Sequence, residues 1–127
     1  MVRKQEWEGG QFIFTETATQ LTAAGNTGSV NVKGSNDHTA QITVATINTN
    51  VIVQLEGTID GTNFFILPLE GVVISGLAIT ANVATITANG TFLLYVKDVG
   101  ITEIRLKFVS ESGGTAATID TKFYSKN

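Results

Sequence analysis

The chain predicts an all-β fold, an antiparallel β-sandwich or jelly roll of about eight to ten strands, with an N-terminal arm over residues 1–10 and one domain over residues 11–127. Three observations carry this. Alternation of period two recurs along the chain while no window sustains a period of 3.6. The 13 glycines and polar turn residues interrupt it at short intervals. The charged fraction is only 15%, well under the roughly 25% of an average soluble domain, so the surface must be largely Thr, Ser, Asn and Gly.

The opening MVRKQEWEGG holds the only Trp, Trp7, and four charged residues, Arg3, Lys4, Glu6 and Glu8. It reads as an arm. Basic residues with no apolar stretch behind them do not make a secretory signal. Strands are expected next at 11–16, 29–33, 40–46 and 50–56.

The segment QLEGTIDGTNFFILP, residues 54–68, reads as strand, tight turn and strand. Asp60 supplies a side-chain acceptor for the turn and Gly61 the permissive backbone, so chain reversal alone explains the motif. The second strand, 63–67, contains Phe64 and Phe65, which as neighbours must point to opposite faces. One is expected in the core and the other toward solvent or a partner. Trp7, Phe64 and Phe65 are therefore the interface candidates.

A short strand is expected around 72–75. Between VATITA and TFLLYVK sits Asn89-Gly90, the dipeptide that suits a type I′ hairpin turn. Asn89-Gly90-Thr91 also matches a glycosylation sequon, but the turn already accounts for Asn and Gly. In TEIRLKFV, Ile104, Leu106 and Phe108 share one face while Glu103, Arg105 and Lys107 share the other. Phe92, Leu94 and Val96, then Ile119 and Phe123, are inward by the same count, with Asp120 and Lys122 outward. These three closing strands read as a meander.

Net charge is −3, and the eight Lys and Arg are scattered. That excludes a nucleic-acid footprint. No disulfide, thiolate chemistry or Cys-ligated zinc is available without cysteine. Residues 71–95 carry no charge, but Gly, Asn and Thr break the run before it could span a bilayer. The stretch reads as strands buried in a core or an oligomer interface, and no membrane partner is expected.

No catalytic set emerges. His38, the only histidine, lies in the polar turn GSNDHT with no serine elbow beside it, and reads as solvated. Asp37 and Asp60 could be opposed as glycosidase carboxylates, but both sit in turns where Asp serves its own backbone. The same two residues are the candidates for an adventitious calcium, although neither loop has the spaced carboxylates of a calcium site. The echo of G-[ST]-x-D-x-T at 34–39 and 57–62 is one turn chemistry used twice. The chain is expected to be no enzyme, with no cofactor and no resident metal.

VIVQLEGTIDGTNFFIL resembles a hairpin of small β-sandwich domains in tailed-phage virion proteins and in some discoidin-like carbohydrate-binding modules. DVGITEIRLKFVSESGGTAATIDTKFY is similar to the closing strands of the same phage domains. The two segments cover residues 50–67 and 98–124, and Phe64 stands where such domains often carry Trp. The resemblance implies a virion structural component, either a capsid decoration protein or a tail or fibre module, assembled in the host cytoplasm. Its partners would be a major capsid protein, tail proteins or further copies of itself. The alternative it implies is a carbohydrate- or receptor-binding module that meets a host glycan through Asp37, His38, Asp60 and the exposed Phe.

Overall fold

The computed structural model describes residues 2–7, 10–16, 21–71 and 75–126, with side chains from residue 21 onward. The described elements are all strands: β1 (Val2–Trp7), β2 (Gly10–Glu16), β3 (Gly25–Asn26), β4 (Val30–Asn31), β5 (Asp37–Ala45), β6 (Asn50–Thr58) and β7 (Phe65–Ile66), followed by β8 (Glu70–Gly71), β9 (Leu77–Thr80), β10 (Val83–Ile86), β11 (Gly90–Val96), β12 (Glu103–Ser112) and β13 (Thr118–Lys126).

They form two antiparallel sheets. The first runs β1-β2-β13-β5-β11-β8 and the second β3-β12-β6-β10-β9, with β4 added on β12 and β7 on β6. Four consecutive strands of each sheet, β2-β13-β5-β11 and β3-β12-β6-β10, interleave in the order of a jelly roll. Residues 2–7 run as an edge strand paired residue by residue with β2.

Alternation sets the core as expected. Ile104, Leu106 and Phe108 of β12 are buried against Phe92, Leu94 and Val96 of β11, Ile119 and Phe123 of β13, and Ile42 and Val44 of β5. Full burial of each such side chain contributes roughly 1.5–3 kcal/mol relative to exposure. Asp120 and Lys122 are exposed on the outer face.

Two expectations about pairing fail. The closing strands form no meander, since β12 pairs with β6 in the second sheet while β11 and β13 both pair with β5 in the first. Nor do Asn89 and Gly90 turn a hairpin, because β10 and β11 lie in different sheets. Asn89 instead accepts a hydrogen bond from the Ile47 amide (2.9 Å) at the sheet-to-sheet crossing, and Gly90 there takes a φ of +149°. The hairpin with two left-handed turn residues sits one strand earlier, at Ala81 and Asn82 between β9 and β10. Of the strand expected at 72–75, residues 72–74 lie outside the described residues.

Candidate functional site

The sandwich has two differently finished ends. β6 runs from Asn50 at one to Thr58 at the other, and β12 returns antiparallel, so Glu103 lies beside Thr58 and Ser112 beside Asn50. The Thr58 end carries the turn singled out in the sequence.

That turn is closed on itself. Asp60 Oδ1 accepts from the Thr62 and Asn63 amides, both at 2.8 Å, and from Thr58 Oγ1 at 3.0 Å. Its Oδ2 accepts from Asn63 Nδ2 at 2.8 Å. Thr58 Oγ1 in turn accepts from the Gly61 amide, and Gly61 sits at φ +79°. Hydrogen bonds from the Asn63 and Thr62 amides, then from the Asn63 and Thr58 side chains, hold the Asp60 carboxyl well below the usual carboxylate range. The carboxylate stays charged while all four bonds it accepts come from its own turn.

Beside the turn opens an apolar cleft of about 520 Å³, lined by Thr58, Ile59, Phe65, Leu67, Val99 and Ile101 among others. Gly57 makes its floor: a Cβ there would stand 2.7 Å from Ile101 Cδ1 and 3.0 Å from Leu67 Cδ2. Only glycine lets those two side chains close against the strand. At the mouth Ile59 is 75% exposed and Phe65 68%. Two large apolar side chains left in water at one cleft mark a contact surface more than scattered exposure would.

The Phe pair points to opposite faces as alternation requires, but the expected core placement of one ring fails. Phe65 lies opposite Gly57 in the β6–β7 ladder and lines the cleft. Phe64, half-buried, lies under the Arg105 guanidinium, 3.7 Å from ring centroid to Cζ. Arg105 is fixed there by Glu56, whose Oε1 accepts from both Nε and Nη2 at 2.9 Å. Neither ring enters the core, because β7 is only two residues long and hangs at the rim of the sheet.

His38 is a correction. It is not a solvated loop residue but the second residue of β5, 1% exposed and in phase with Ala40, Ile42 and Val44. Its Nε2 donates to the Val99 carbonyl (3.2 Å), which leaves Nδ1 of the neutral ring to accept from Ser125 Oγ (2.8 Å). Burial pushes its pKa below the ordinary value, against the Val99 bond and the nearby Asp37 charge. A serine next to an imidazole has the outline of a nucleophile and base, yet Ser125 is also 1% exposed. Neither atom faces a cleft, and the pair ties β5, β13 and the loop at Val99 together.

Asp37, the first residue of β5, accepts from the Asp98 amide at 3.1 Å, a structural bond to the loop that carries Val99. The glycan set of Asp37, His38 and Asp60 is thus not assembled as free recognition groups: one is buried and the other two accept backbone hydrogen bonds. Among the described residues no cluster of three or more His, Asp or Glu is placed to hold a metal. Trp7 pairs through its backbone with Gly10, and its side chain lies outside what is described.

Ile59, Leu67, Val99 and Ile101 were not singled out by the sequence. Ile59 did leave a signal: an isoleucine between Thr58 and Asp60 in an otherwise polar turn has no core to serve.

No protein-family model matches the chain, and no curated protein matches it. Among solved structures it is similar to the crystal structure of the SPBc2 prophage-derived protein YomS, with a TM-score of 0.65. The match covers 97% of this chain and 99% of YomS at 9% sequence identity. At that identity the likeness is one of fold, and it runs the full length of both chains.

Proposed function

We propose that this chain is a non-enzymatic structural protein of a tailed-phage virion, a capsid decoration or auxiliary protein that binds the capsid surface or neighbouring subunits. The observation that carries the reading is the end-to-end fold match to a prophage-derived protein. The resemblance of residues 50–67 and 98–124 to phage virion domains points the same way.

The described surface supports a contact role. It offers an apolar cleft whose polar neighbours are hydrogen-bonded to one another, and the one His–Ser pair is sealed in the core. Binding to other virion proteins, in the capsid or tail, and assembly with further copies of itself belong to the same reading. So does localisation to the particle after assembly in the host cytoplasm.

The test is mass spectrometry of purified particles from a host carrying the gene, with capsid and tail fractions separated. The chain should co-purify with the capsid fraction in stoichiometric amount. Its absence from particles would reject the virion role, and its recovery with tails alone would replace decoration by a tail module.

A further inference from the structure

We propose that the cleft at the Thr58 end is the docking site for a protein segment that inserts one aromatic or branched aliphatic side chain flanked by Lys or Arg. The proposal rests on the reading of the chain as a protein-binding structural component and names the surface and the partner chemistry. Three observations on the cleft carry it.

The first is shape. A volume of about 520 Å³ lies within the roughly 300–1,000 Å³ of ordinary binding pockets and admits a single large side chain with the backbone that bears it. The Asp60 turn and the His38–Val99 bond hold its walls in place, so little ordering entropy is lost when it is filled.

The second is the state of its polar atoms. The Thr58 carbonyl accepts from the Thr102 amide and hydroxyl, the Ile59 carbonyl accepts from Thr102 Oγ1, and the Val99 carbonyl accepts from His38. Asp60 is occupied by its own turn. A ligand recognised through many hydrogen bonds, such as a glycan, would meet groups already engaged, whereas an apolar side chain needs none of them.

The third is charge. Among the described residues Asp60 is the only charged one that lines the cleft, and two more carboxylates flank it. Glu103 Oε2 lies 3.0 Å from where a Gly61 Cβ would stand, and exposed Asp98 precedes Val99. Lys97 is turned to Glu70 and the Tyr95 ring. Asp37 faces Lys126 across the ladder. An apolar hole in an acidic collar attracts cations beside the inserted group. It disfavours a second copy across a two-fold axis, which would set Asp60 and its collar against an identical collar.

The experiment is a titration of the 15N-labelled full chain with synthetic peptides, read at the amides of Gly57, Gly61, Phe65 and Gly100. One peptide carries a tryptophan flanked by lysines, a second flanks it with glutamates, and a third replaces the tryptophan by glycine. The lysine–tryptophan peptide should move those amides, and binding should weaken about tenfold, a factor worth roughly 1.4 kcal/mol, on exchange to glutamates or on Phe65→Ser. Added salt should weaken it, as should Asp98→Asn, which keeps a residue suited to the φ of +55° there. Equal binding of the glutamate peptide, shifts confined to another face, or the same shifts with a linear glucan would overturn the proposal. Silence with every peptide from a chain that does co-purify with virions would remove this surface and leave the virion role standing.

Discussion

The two ends of the sandwich are built from the same strands and finished in opposite ways. At the Asn50 end Glu111 gathers the chain: one carboxylate oxygen accepts from Asn48 Nδ2 (2.8 Å) and the other from the Ala117 amide (3.0 Å). Gly113 and Gly114 lie so close to Thr49 and Asn48 that an added Cβ would collide with either side chain. At the Thr58 end the polar groups close a turn on themselves and leave an apolar cleft open. The two carboxylates carry the difference: Glu111 joins two segments of the chain, whereas Asp60 is taken up within one turn and the cleft beside it stays open.

The largest expected effect tests the sealed end. Gly113→Ala places a side chain at φ +85° against Thr49, and strain of this kind costs on the order of 1–3 kcal/mol. The urea midpoint should fall accordingly. Gly100→Ala at the open end is the control. An added Cβ there would meet nothing within 4 Å, so the midpoint should hold or rise slightly as the unfolded chain loses freedom. Equal losses at both glycines would erase the distinction between the ends.

The next effect comes from acid. His38 is favoured neutral in the folded state because burial lowers its pKa, so the unfolded chain takes up the proton first. Stability is therefore full above the unfolded value of about 6.5 and falls as pH drops through it toward the lower folded value. Denaturation midpoints measured across that window should slope downward with acid, and His38→Gln should flatten the slope. Amide exchange should quicken first near Val99, whose carbonyl His38 holds. A slope unchanged by His38→Gln would place the proton uptake elsewhere.

Asp60 acts in the same sense but at lower pH. Its folded pKa is depressed, so its stabilising contribution is present above the ordinary carboxylate value and is lost only as pH falls through the folded one. Carbon-13 titration should find the Asp60 carboxylate still ionised below the ordinary carboxylate range. Titration of Asp60 within the ordinary carboxylate range would mean that the turn is not closed in solution.

How much of this could be read beforehand follows from what alternation encodes. It reports which side of a strand is buried, and so Ile104, Leu106 and Phe108 were legible. It does not report which sheet a strand joins, and so the crossing at Asn89-Gly90 read as a hairpin. The signal for His38 was present, since it keeps phase with Ala40, Ile42 and Val44, but the polar run before it masked the first turn of β5. The cleft was hardest to see. Its walls come from residues 57–67 and 99–101, distant in sequence, and only Ile59 stood out of place.

The smallest effect on stability should accompany the largest effect on contact. Ile59 is 75% exposed, so Ile59→Ser removes little that folding buries, and surface changes of this sort stay within about 0.5 kcal/mol. Its denaturation midpoint should match the parent chain. Recruitment to particles should nonetheless fall, because the same side chain forms the lip of the cleft. Gly113→Ala should do the reverse, lowering the midpoint while folded molecules are recruited as before. Stability and recruitment that instead fall together in both variants would mean that the open end is part of the folding core, and that its exposed isoleucine serves the sandwich and not a partner.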